Sequence, residues 1–387
     1  MRRVFAVLLL AVSTAPLGAQ RIPAITLRPA DAVHPHEFTS VGSVRELSDG
    51  RVIVSDGRDD RLLLLDFRDG SARDIGRKGK GPGEFTMVAL VHAMGADSSL
   101  MVDYFSRRWL LFHRDRIVAT VPPDDPAVEA TRSAIYGADA MGRVLGRVEP
   151  SRRDGITMQT ERDSGAVVLV SRKTGAVDTV TKFRLSARQL SQQTNAEGRI
   201  IASSSYTTQL MPSEEAFVLF PDGALAIARL NPFRVDWRLP DGKWLRGDSL
   251  PVPRIPVTAR ERRAFERRNG GRSAGALPPG VPRPAGVPEP PSPAFPEFVP
   301  PFPLAYGAVL AGPNGQLLIR RSKSADFPNM TYLLVDRAAR LVGTFTLRGN
   351  EQVVGVGNGW LYITERDEDD IIRLRRHPFP TETKTTG

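Results

Sequence analysis

Residues 44–76 read VRELSDGRVIVSDGRDDRLLLLDFRDGSARDIG, short apolar runs cut by Asp-Gly pairs and charged turns. Runs this short, bounded by turn residues, predict β-hairpins rather than helices. One strand leads to the Asp49-Gly50 turn, and a second over residues 51–55 ends at Asp56. A loop then carries Arg61, a third strand covers residues 62–65, and a turn at Asp69-Gly70 leads into a fourth.

The same pattern returns along the chain. In residues 92–121, Asp103 and Arg108 keep the five-residue offset of Asp56 and Arg61. Residues 134–180, 215–250, 306–347 and 352–376 repeat the pattern, and in the last Glu365 and Asp370 stand at those offsets. That makes six units of about four strands, with no 3.6-residue periodicity across them, and predicts an all-β, six-bladed β-propeller with four-stranded blades. The expected blades span residues 38–76, 85–121, 134–182, 206–255, 304–347 and 350–378. The last unit stops after three strands, so the strand-like residues 22–28 are expected to complete it and close the ring. Closure removes the exposed edges that an open sheet would present.

Residues 256–303 break the pattern as an insertion. Thr258 is a fitting N-cap for a short, charged, exposed helix that follows it. From residue 278 to residue 303, twelve of 26 positions are proline, which favours extended polyproline II. Two readings stand: a strap or loop over one face, or a lid or partner-docking arm anchored in the channel mouth by Phe295, Phe298 and Phe302.

The first nineteen residues have the form of a secretory signal, with Arg2 and Arg3 ahead of an apolar stretch at residues 4–12 and small residues up to Ala19. Cleavage after Ala19 would deliver the mature protein to the periplasm or the exterior, as residues 20–380 of propeller and a short tail, 381–387. No apolar run of about 18 residues follows, so no transmembrane segment is expected. The 387 residues include no cysteine, which excludes a disulfide framework, a thiolate metal site and a catalytic thiol. Lys and Arg number 53 against 43 acidic residues, a formal net charge of +10. The arginines are scattered over strands and loops without a long basic run, so the charge reads as a solvated surface and not as a nucleic-acid footprint.

The stretch GRKGKGPGEF at residues 76–85, with strand ends of the type Val54-Ser55-Asp56 and Val102-Asp103, resembles NHL-type six-bladed propellers, and more closely their exported bacterial members. The resemblance implies the fold and an extracytoplasmic setting. It implies no shared chemistry, because such propellers include binding proteins, lyases and lactonases. The third, fourth and fifth units depart from it, with Arg147, Arg229 and Arg320 near the position of the aspartate.

Those strand ends supply the candidate site. Asp56, Asp103, Arg147, Arg229, Arg320 and Glu365 occupy equivalent positions and are expected around one rim, where a polar ligand or charged peptide would meet both signs of charge. The bland alternative is that Asp56 and Asp103 cap their own loops and pair with Arg61 and Arg108. A metal site needs His, Asp or Glu converging from several inner strands. Only Glu46, His92 and Glu215 offer themselves, and His34 and His36 read as surface residues. The glycines at 79, 81 and 83 with Lys78 and Lys80 lack a phosphate-binding spacing, residues 367–370 read as a solvated turn, and Gly271-Arg272-Ser273-Ala274-Gly275 is a chance match to a nucleophile elbow. The expected function is a monomeric ligand- or protein-binding module without a cofactor, its partner a protein, peptide or small polar ligand. The alternative is a metal-assisted hydrolase or lyase, lactonase-like or amide-lyase-like, using Ca or Zn at Glu46 and His92.

Overall fold

The structure, a computed structural model, describes residues 22–131, 134–148, 164–184, 188–194, 200–207, 209–269 and 293–380. Six four-stranded antiparallel sheets are arranged as the blades of a β-propeller. Blade one holds Ser43–Glu46, Val52–Asp56, Arg61–Leu65 and Ala72–Asp74, counted outward from the axis. Blade two follows with Val91–Ala93, Ser98–Asp103, Arg108–His113 and Arg116–Val121, and blade three with Ala134–Ala138, Arg143–Val148, Ser164–Ser171 and Val177–Arg184. Blade four holds Ala216–Leu219, Leu225–Leu230, Phe233–Arg238 and Trp244–Arg246, and blade five Val309–Ala311, Leu317–Arg320, Met330–Val335 and Leu341–Leu347. In blade six Glu351–Val356, Trp360–Arg366 and Ile372–Pro378 precede an outer strand from the other end of the chain, Ala32–Phe38.

The apolar runs are continuous because both faces of each blade are covered. Alternate side chains leave a strand on opposite faces. Thus Val52, Val54, Leu63 and Leu65 face blade six, where they meet Tyr362, Ile372 and Leu374. Their neighbours Ile53, Leu62 and Leu64 face blade two and pack on Met101, Leu110 and Phe112. Similar clusters fill the seams between the remaining blades. Each fully buried aliphatic side chain contributes about 1.5–3 kcal/mol, so stability is distributed around the ring.

The closing strand is not the one expected. Residues 22–28 run instead along the outer strand of blade five, where the Ile25 amide donates to Thr344 O (2.7 Å) and the Thr344 amide to Pro23 O (2.9 Å). Pro23 lacks an N–H, which prevents a full ladder there, while Ile25 and Leu27 pack against the cluster between blades five and six. Ala32–Phe38 takes the outer place in blade six, with a register shift around Pro35. His34, expected at the surface, is therefore fully buried, its ring 5.3 Å from that of Phe67 and its Nε2 donating to Ser71 O (3.2 Å).

The helix after Thr258 forms as Ala259–Arg268, yet it is not free of the body. Glu261 and Ala264 are buried, and both Glu261 oxygens accept the Ala325 amide (2.9 and 3.1 Å). Of the three phenylalanines expected at the channel mouth, Phe302 alone is there, buried on Phe233 at 5.9 Å and lining the channel. Phe295 packs on Phe265 (5.6 Å), and Phe298 lies under Arg254 (3.8 Å). A hairpin of Arg188–Thr194 and Ile200–Thr207, between blades three and four, was not foreseen. The signal segment, the 271–275 match, most of the proline-rich stretch and the 381–387 tail lie outside the described residues. Among the described residues no helix is long and apolar enough to cross a membrane.

Candidate functional site at the channel mouth

Inner strands from all six blades surround a central cavity of about 850 Å³, within the range of small-molecule and peptide sites. One mouth lies where the inner strands begin and the second strands end, which is where the six candidate rim residues sit.

Most of those rim residues are committed to neighbours. Asp56 is buried and caps its own loop, accepting from Ser40 Oγ (2.7 Å), the Thr39 amide (3.2 Å) and the Arg58 amide (3.1 Å). Arg61 pairs with Asp74 (2.9 Å) and not with Asp56. Asp103 accepts from Thr86, through both its amide (3.0 Å) and its hydroxyl, and from Arg108 (3.2 Å). Burial pushes the Asp103 carboxyl up, but the Thr86 and Arg108 bonds outweigh it and hold it below the usual range. Glu365 is paired with Arg375. Arg147 is buried against Glu214 and Tyr136, 4.1 Å above the Phe183 ring. Arg229 bridges Glu215 (2.7 Å) and Asp236 (3.0 Å), and Arg234 joins from the other side of Asp236 (2.8 Å). Arg320 is buried with no carboxylate partner among the described residues.

The channel wall therefore carries pre-formed ion pairs at this mouth, Arg147–Glu214 and Arg229–Glu215. Burial raises Glu215 above the usual carboxylate range, against the pull of Arg229. Ion pairs held this way present oriented donors and acceptors without reorganisation when a ligand arrives.

Three of the chain's six tyrosines, which sequence reasoning missed, lie in or near the ends of strands at this mouth. Tyr136 and Tyr306 line the cavity, and Tyr104 follows directly on the second strand of blade two. Desolvation, with a smaller contribution from Tyr136, raises the Tyr104 phenol, and desolvation with a smaller contribution from Tyr104 raises that of Tyr306, although both residues keep an exposed edge. Leu304 and Phe105 also leave apolar surface exposed. A signal was present: the pair Tyr-Gly recurs at Tyr136-Gly137 and Tyr306-Gly307, near the start of two inner strands.

The two metal candidates, Glu46 and His92, both line the cavity. Glu46 accepts from Tyr362 Oη (2.8 Å) and the Asn358 amide, and burial raises its carboxyl. His92 is 7% exposed, and burial pushes it down to about 4, so its imidazole is neutral. Among the described residues no group of three or more His, Asp or Glu side chains stands ready for a metal ion. The glycine stretch is closed on itself: Glu84 accepts the Gly81 amide (2.8 Å) and pairs with Arg77 (2.7 Å), while Arg108 donates to Lys80 O and Glu84 O. Residues 367–370 form a turn in which Asp367 accepts the Asp369 and Ile371 amides.

No protein-family model matches the chain, and no curated protein does. Solved structures are similar to it along nearly their full length. A member of the DUF4221 family from Bacteroides vulgatus is 10% identical with a TM-score of 0.42, covering 94% of this chain and 98% of its own. Regucalcin from Agrobacterium tumefaciens, a calcium-binding protein, is 11% identical with a TM-score of 0.41, covering 92% and 96%. A catalytically inactive virginiamycin B lyase from Staphylococcus aureus is 10% identical with a TM-score of 0.39, covering 89% and 98%.

Proposed function

We propose that this chain is an exported, NHL-like propeller that acts as a monomeric binding module, taking a small polar ligand or a peptide segment at the tyrosine-lined mouth. The observation that supports the reading most is that Tyr136 and Tyr306 line a cavity of about 850 Å³ whose wall also carries the Arg147–Glu214 pair, with Arg147 donating to the Tyr136 hydroxyl. Aromatic rings supply rigid contact area at low entropic cost, and tyrosine and arginine dominate binding hot spots. The flanking ion pairs would fix the orientation of polar groups. Export rests on the form of residues 1–19 and on the resemblance carried by residues 76–85.

The test is a screen of short peptides and oligosaccharides against the mature protein by intrinsic fluorescence, followed by titration of any hit. Tyr306→Ala is expected to weaken a genuine channel ligand about tenfold or more, with the unfolding temperature unchanged because the ring stands at the surface. Titration after chelator treatment is expected to give the same affinity. Loss of binding on chelation would move the reading to the metal-assisted alternative at Glu46 and His92. A hit indifferent to Tyr306→Ala binds elsewhere and would overturn the placement.

A further inference from the structure

Of the three arginines that end second strands, two have carboxylates supplied by the connection into the next blade or by a neighbouring strand: Arg147 has Glu214, and Arg229 has Glu215 and Asp236. Arg320 has neither. Its backbone amide is held by Ala308 O (2.7 Å), the residue is 8% exposed, and its guanidinium makes no hydrogen bond or ion pair among the described residues. Beside it stand two more cations. Lys323, half-buried three residues on, also lacks a partner, and it is lowered by burial and by its proximity to Arg268 and Arg320. Arg268, in the last turn of Ala259–Arg268, bends over the same loop and donates to Lys323 O (3.3 Å) and Ser324 O (3.5 Å). Arg321 turns its guanidinium over the Phe327 ring (3.9 Å) instead.

The nearby carboxylates are already committed. Glu261 accepts the Ala325 amide with both oxygens, and Asp326 pairs with Arg260 (2.6 Å). Three positive groups thus grade from exposed Arg268 through half-buried Lys323 to buried Arg320, and neither Lys323 nor Arg320 is paired with a carboxylate among the described residues. A largely buried guanidinium without a counter-charge is costly, and an anion brought to it would offset that cost.

We infer that Arg320, Lys323 and Arg268 form an anion-binding site for a tetrahedral oxyanion, a phosphate or sulfate group, held between the inserted helix and blade five. The guanidinium fork of Arg320 takes two oxygens side by side, and the Lys323 ammonium supplies a point charge to a third. A doubly charged oxyanion suits three cations better than a single carboxylate does. Arg320 is not part of the central cavity wall, so this site stands apart from the tyrosine-lined mouth and does not depend on the reading given for it.

The test is thermal unfolding and calorimetric titration of the mature protein with inorganic phosphate, sulfate and chloride at matched ionic strength. Phosphate or sulfate, and not chloride, is expected to raise the unfolding temperature, because a ligand that binds only the native state stabilises it. Arg320→Gln is expected to weaken phosphate binding at least tenfold, and Lys323→Gln to weaken it severalfold. Without phosphate, Arg320→Gln should unfold at the same temperature as the parent or higher, since it removes a buried unpaired charge. A purely structural arginine would behave oppositely and lower it. Equal effects of all three salts, or phosphate binding unchanged in both variants, would overturn the site.

Discussion

At the residue scale, the recurring five-residue offset of acid and arginine described a position correctly and its partners only in part. Asp103 and Arg108 do meet, because a hairpin of that length brings its two ends together. Arg147 is answered by Glu214, 67 positions away in sequence, and no local pattern reveals such a partner. The same holds for His92, whose one informative property is its burial. Pushed down to about 4 from the usual 6.5, it stays neutral in the fold while an unfolded chain would protonate it. A group of this kind contributes stability above pH 6.5 that is lost as pH falls towards about 4. The loss amounts to on the order of 3 kcal/mol. His34 is buried and lowered as well, so part of the slope belongs to it. Urea unfolding followed from neutral to acid pH is expected to show His92→Gln with a visibly flatter profile than the parent. Identical slopes would mean that the His92 pocket opens to water.

At the element scale, the blades were legible because two covered faces force apolar runs, and runs cut by Asp-Gly turns announce strand length directly. The closing strand was placed ten positions early, because residues 22–28 and 32–38 carry the same mixture of proline and apolar residues. What separates them is docking: Phe38 and His34 enter the fold, while Ile25 and Leu27 rest on its outside. The two segments should therefore differ in worth. A chain beginning at residue 30 loses the clasp on blade five and is expected to fold with an unfolding temperature several degrees lower. A chain beginning at residue 42 loses the outer strand of blade six and also Thr39 and Ser40, which cap Asp56. Its bare strand edge invites pairing between molecules, so it is expected to aggregate in light-scattering measurements. Equal behaviour of the two truncations would show that Ala32–Phe38 does not close the ring.

At the scale of the whole molecule, the two ends of the chain join inside blade six, and that blade meets blade one across the seam that completes the ring. Within blade six the outer strand is tied to its neighbour by Arg373–Glu37 (2.6 Å) and Arg376–Asp31. Such exposed pairs contribute about 0–1 kcal/mol each. Apolar contact carries more of the load, with Phe38, Val52 and Val54 packed on Tyr362 and Leu374. One polar bond also crosses the seam, from Tyr362 Oη of blade six to Glu46 of blade one. Burial raises the Glu46 carboxyl although Tyr362, the Asn358 amide and two arginines pull it down. A carboxyl whose folded pKa is raised adds stability at low pH, and that contribution is lost as pH rises through the folded value. At neutral pH the seam therefore holds a charge at some disadvantage. Glu46→Gln keeps an acceptor for the phenol and removes the charge. It is expected to unfold a few degrees above the parent at about pH 8, with the gap closing by about pH 4, where the parent carboxyl is itself protonated. A lower unfolding temperature for Glu46→Gln at the alkaline end would mean that the charge is needed, and that Glu46 has a partner other than the seam.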